Sequence, residues 1–178
     1  DFIFGMDASC VPSLEAGGVR YYDHDGTEKD VYQILAENGI NYIRVRIWND
    51  PFDKEGNGYG GGNCDIDNAI TIGKRATQYG MKLLVNFHYS DFWADPGKQI
   101  IPKAWSGYDL DALTGKVYEF TKESLIKAKD AGVLPELIQV GNEITNGMLW
   151  PIGKLKRESR MKPDYSAFLR LVDAGCRA

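Results

Sequence analysis

The chain has 178 residues, 43% of them apolar, enough for one domain with a real hydrophobic core. Its formal net charge is −4, with acids and bases interleaved, which argues against a nucleic-acid partner or a charged membrane surface. No apolar run is long enough to span a bilayer, and the opening DFIFGMDAS has neither a basic region nor a leader-like apolar core, so it reads as the start of a mature or trimmed chain.

Phe2 to Asp7 reads as a short strand. Thr27 offers an N-cap with Asp30 three residues on; Val31, Ile34 and Leu35 then follow at helical spacing, and Gly39 closes the helix. Asn41 to Trp48 is a strand with Ile43, Val45 and Ile47 on one side and Tyr42, Arg44, Arg46 and Trp48 on the other. The loop GNGYGGGN comes next. It lacks phosphate-loop spacing and reads as a flexible cover or a turn-rich connection. Asp65 or Asp67 starts a second helix, with Ile66, Ala69, Ile70 and Gly73 on its face, closed by Gly80. Lys82 to His88 is a third strand, and a long loop then runs to Trp105. A helix over about Asp109 to Ala131 is closed by Gly132, and Glu136 to Gly141 is a fourth strand. The last helix starts near Asp164 and runs toward Gly175, where DAGCRA repeats the helix-ending signal. The charged run KLKRESRMK reads as a solvated face or loop.

Cys10, Cys64 and Cys176 are not spaced as metal ligands, so no metal or cofactor is expected. Cys10 and Cys64 can be bridged only if their loops are neighbours; bridge and free thiols both stay open.

Strand and helix alternate four times, which implies parallel strands covered by helices. A doubly wound sheet would bury both strand faces, and Arg44 and Arg46 share one face without evident partners there. A barrel whose upper interior is polar accommodates them. A whole barrel needs about 250 residues, so the expectation for residues 1–178 is the N-terminal half, (βα)4, of a TIM (β/α)8 barrel. The first and fourth strands would then be open edges that favour self-association.

In a barrel, residues just past the strand ends face the active-site mouth. Asp7, then Arg46, Trp48, Asn49 and Asp50, then Asn86, His88 and Asp91, then Asn142 and Glu143 fall there. Trp48, Trp93, Trp105 and Trp150 fall at strand ends or in the loops after them. Flat aromatic faces among carboxylates and amides suit sugar rings and their hydroxyls.

WNDP, NFHYSDFWADPGKQIIPKAW and QVGNEITNGMLWP resemble glycoside hydrolase family 53, the endo-β-1,4-galactanases acting on arabinogalactan side chains of pectin. The resemblance runs from GMDAS to the last helix. The HYSDFWADPGKQ run is specific to the family, whereas the Asn-Glu pair is shared across the wider clan of retaining barrel glycosidases. It implies a (β/α)8 barrel, retaining cleavage of internal β-1,4-galactosyl bonds, a galactan partner and secretion. By that resemblance Glu143 is the general acid/base, raised in pKa by apolar neighbours such as Trp150. Asn142 holds the sugar hydroxyl beside the reacting carbon, and Arg46 orients and balances a catalytic carboxylate. His88 fixes a partner or the sugar; Asp7, Trp48, Asp91, Trp93 and Trp150 bind substrate. Each has a plainer reading: an ion-pair arginine, a core histidine, or tryptophans packed under loops.

Retaining cleavage needs a second carboxylate about 5–5.5 Å from the first. The family places it near the seventh strand, outside this sequence, so this chain alone is expected to be inactive while the parent protein is a galactanase. Mannan or glucan cleavage and a non-catalytic sugar-binding half-barrel are the alternatives.

Overall fold

The computed structural model describes residues 2–155 and 164–178, so the charged run falls outside it except for Lys154 and Leu155. Four parallel strands, β1 (Gly5–Asp7), β2 (Tyr42–Ile47), β3 (Lys82–Phe87) and β4 (Leu137–Val140), form one sheet in the order β1-β2-β3-β4. The order separates the two architectures. Doubly wound sheets reverse direction about an early strand, whereas a barrel adds each strand beside the last. The helices are α1 (Val11–Ala16), α2 (Val31–Glu37), α3 (Ile66–Gln78), α4 (Leu110–Asp130) and α5 (Ser166–Arg177). Two short antiparallel strands, β5 (Gly147–Met148) and β6 (Gly153–Lys154), follow β4.

Partners in a parallel ladder share a face. Ile43, Val45 and Ile47 pair with Leu83, Val85 and Phe87, and all six are buried. α3 packs on β2 and β3, and α5 on β4. Each such side chain withdrawn from water contributes about 1.5–3 kcal/mol, so this layer fixes the strand register. The opposite face carries Arg44, Arg46 and Asn86, as a barrel interior does near its carboxyl end.

Several boundaries differ from the sequence reading. β1 begins at Gly5, because the Asn41 side chain takes over the ladder before it: it accepts from Phe4 N at 2.9 Å and donates to Phe2 O at 2.8 Å. α2 begins at Val31, capped by Asp30, which accepts from Tyr32 N. Thr27 instead belongs to a tight turn in which Asp23 Oδ1 accepts from Asp25 N and Thr27 N. The buried stripe of α3 is Ala69, Ile72, Gly73 and Ala76, shifted from the expected face. α1 was not anticipated, although Pro12 in its first turn is a helix-start signal. Gly175 does not end α5. The helix continues to Arg177, and a Cβ at Gly175 would lie 2.6 Å from Val140 Cγ1 and 2.7 Å from Tyr89 Oη. This glycine is there so that α5 can approach the end of β4 closely. Cys10, Cys64 and Cys176 are free thiols.

Candidate active site

The strand ends converge on Arg44. Its Nη1 donates to Asp7 Oδ2 at 2.5 Å, and its Nη2 donates to Asn86 Oδ1 at 2.5 Å and Asn142 Oδ1 at 3.1 Å. One guanidinium thus joins residues from all four strand ends, using the planar fork that distinguishes arginine from lysine. Asn86 Nδ2 donates onward to Gly141 O at 2.9 Å, tying β3 to the exit of β4. Asn142 is buried, with Nδ2 donating to Ala94 O at 2.8 Å and its backbone carbonyl accepting from Gln99 Nε2 at 2.8 Å.

The chain then turns sharply. Gly141 has φ +83°, and a Cβ there would sit 2.6 Å from Ile144 Cγ2. Glu143 adopts the left-handed conformation, φ 50° and ψ 43°, which costs a non-glycine residue about 1–2 kcal/mol. Its side chain is exposed and does not cap the turn that follows. The strained residue thus follows the clamped Asn142 just past the end of β4 with its side chain exposed.

His88 is buried, and its Nδ1 accepts from both Trp48 Nε1 and Ala94 N at 3.2 Å. Two donors on one nitrogen place the ring proton on Nε2, which is buried and has no hydrogen-bond partner among the described residues. Burial, reinforced by the charges of Arg44 and Arg46, lowers the His88 pKa to about 3. The imidazole is therefore neutral, a fixed donor rather than a base.

Arg46, also buried, does not bond Asn142 and meets its network at Asp7. Its Nη2 donates to Gly61 O at 2.9 Å and Cys10 Sγ at 3.0 Å, and Nη1 lies 3.5 Å from Asp7 Oδ1. Cys64 Sγ is 3.7 Å from the same Nη2, and burial raises its thiol pKa to about 11. Trp93 stacks over Arg46 with Cζ 4.3 Å from the ring centroid, and the residue is 37% exposed.

The remaining expected residues divide. Trp48 is wholly buried and Trp105 packs edge-on against Phe120 in the core, so neither offers a face to a ligand. Trp150 is half-buried, with Nε1 donating to Asn146 O at 3.1 Å and the Lys154 ammonium 4.0 Å from its ring centroid. Asp91 is a loop fastener: Oδ1 accepts from Asp50 N at 3.1 Å and Oδ2 from Lys103 N at 2.7 Å. Asp7 is occupied by the two arginines and by Ser9 N. Asn86 is one of the strand-end residues the sequence places at the mouth; Arg44 is the site residue the sequence reading leaves out, yet it lies on the strand face that carries Arg46 and Asn86, and that parity is the signal that finds it. Among the described residues no three His, Cys, Asp or Glu side chains gather as a metal site.

The chain matches the glycosyl hydrolase family 53 pattern over residues 3–178. It belongs to that family. Over 178 residues it is 55% identical to an endo-beta-1,4-galactanase of Bacillus subtilis (strain 168), covering 100% of this chain and 39% of that protein. An arabinogalactan endo-beta-1,4-galactanase of Humicola insolens is 43% identical over 150 residues, 84% of this chain and 42% of that protein. The solved Ignisphaera aggregans GH53 catalytic domain superposes with a TM-score of 0.91 at 43% identity, covering 99% of this chain and 47% of that one. This family 53 chain therefore spans somewhat less than half the length of these relatives, as the first four βα units of the barrel.

Proposed function

We propose that this chain forms the N-terminal half of a secreted retaining endo-glycosidase that hydrolyses internal β-1,4-galactosidic bonds of galactan, with Glu143 as general acid/base. The observation that carries the reading is the Gly141-Asn142-Glu143 turn: Asn142 is clamped by Arg44 and Ala94, and the next residue is forced into a left-handed bend that presents its carboxyl group. Such a carboxyl group protonates the glycosidic oxygen as the bond breaks, then takes a proton from the water that releases the sugar. Asn142 keeps one amide hydrogen and one lone pair for the neighbouring sugar hydroxyl. The neutral His88 positions Trp48 and the Ala94 backbone through Nδ1, and Arg44 with Arg46 keeps the face electropositive toward a second carboxylate. That nucleophile would come from the remaining four βα units. Asp7 is poorly suited to the role because its oxygens already serve the arginines. The same four units would cover the edge strands, where Met6 of β1 and Ile138 of β4 are exposed.

The test compares the full-length protein with its Glu143→Ala and Glu143→Gln variants on galactan, mannan and glucan, following reducing ends. Release from galactan that falls at least about a thousandfold in both variants, with galactan binding retained, supports the reading. Turnover within tenfold of the parent would refute it, and a preference for mannan would move the specificity to the neighbouring alternative.

A further inference from the structure

The connection from Trp48 to Cys64, which includes the glycine-rich loop, is a pinned wall, and it carries Tyr59. Trp48 N donates to Cys64 O at 2.6 Å, and Asn49 N to Ser90 O at 2.8 Å. The Lys103 ammonium binds Asp50 O at 2.9 Å and Asp50 Oδ2 at 2.8 Å, and also the Phe52 carbonyl. Arg46 holds Gly61 O from below. Gly61, at φ +62°, lies so close to the cluster that a Cβ would be 3.0 Å from Trp48 Cη2 and 3.4 Å from Trp93 Nε1. The bare Gly61 lets the backbone lie close against the two indoles.

From this wall Tyr59 emerges 43% exposed, its ring 6.1 Å from that of Phe92 and nearly perpendicular to it. Phe92 stands 6.5 Å from Trp93, and Trp93 stands 5.8 Å from His88. A continuous line of rings thus runs outward from the strand-end site: His88, Trp93, Phe92, Tyr59. We propose that Tyr59 and Phe92, continuing from Trp93, form an aromatic shelf that takes sugar rings of the polysaccharide away from the bond being cut. This deepens the reading of the site given above and rests on it. Sugar C–H faces stack on such rings with little demand for hydrogen-bond geometry. Because the shelf is fixed by Lys103, Asp91 and Arg46, a ligand does not have to order it first.

The experiment measures kcat/KM of the full-length protein on β-1,4-galacto-oligosaccharides of increasing length and on galactan, for the parent, Tyr59→Phe, Tyr59→Leu and Tyr59→Ala. The ratio of long-substrate to short-substrate kcat/KM should fall about three- to tenfold in the leucine and alanine variants and be restored by phenylalanine. Equal losses on every length, or no loss on any, would overturn the shelf while leaving Glu143 as acid/base untouched. If the parent cuts no galactan, affinity gels cast with soluble galactan, glucomannan or xyloglucan decide: retardation of the parent that Tyr59→Ala abolishes supports the shelf. Equal migration of parent and variant in all three gels rejects it.

Discussion

Replacing Arg44 by leucine withdraws three hydrogen bonds at once. Asn86 is wholly buried and Asn142 is 8% exposed, so both amide oxygens lose a charged donor with little water to replace it. Each stranded acceptor costs about 1–3 kcal/mol. The Asp7 carboxylate is about a third exposed, and its lost ion pair is screened to about 0–1 kcal/mol. The sum is about 2–7 kcal/mol for Arg44→Leu. Arg44→Lys should lose about half of that, because an ammonium retains the charge but cannot fork to two amides. Urea unfolding of the protein, read as a midpoint shift at constant slope, gives the number. A double-mutant cycle with Asn142→Ala should show a coupling of about 1 kcal/mol or more between the two residues. A destabilisation below about 0.5 kcal/mol, or strict additivity in the cycle, would refute the claim that one guanidinium joins the four strand ends.

His88 gives stability a pH dependence of definite sign. Its folded pKa of about 3 lies below the usual value of 6.5, so the unfolded chain binds the proton more readily. The contribution is complete above pH 6.5 and is lost as pH falls toward 3, about 2–3 kcal/mol by about pH 4.5. His88→Gln should flatten that part of the stability–pH curve; an unchanged slope would show that the imidazole is not held neutral. Gly175→Ala should destabilise by about 1–3 kcal/mol through overpacking against Val140 and Tyr89, seen as a lower Tm. A stabilised variant, as helix propensity alone would predict, would contradict the close approach of α5 to β4.

What the sequence disclosed is what local chemistry controls. Gly39, Gly80 and Gly132 adopt positive φ just past α2, α3 and α4, so their helix-ending role was readable from residue type and spacing. The period-two placing of Arg44 and Arg46 was enough to choose a barrel interior, and the strand order agrees. The failures occurred where a distant neighbour decides. Gly175 carries the same local signal as the other helix-end glycines, but Val140 and Tyr89 press on it, so it sits inside α5. Asn41 shortens β1 with a side chain no strand pattern encodes. Trp48 stands at a strand end like an exposed aromatic, but the covering loop at Gly61 and the rings of Phe92, Trp93 and His88 bury it. Arg44 and Arg46 are equivalent in sequence, and only the placing of Asn86 and Asn142 beside one, and Gly61 and Cys10 beside the other, separates their roles.

Glu143 is mounted on a bend that most side chains resist. A valine or isoleucine there would pull the peptide back toward an extended course and carry Asn142 and Ile144 with it, whereas glutamine or asparagine keeps the aim of the mount. A silent variant at this position therefore speaks about proton transfer only when its replacement tolerates the same bend, and a branched residue would report the collapse of a hinge instead.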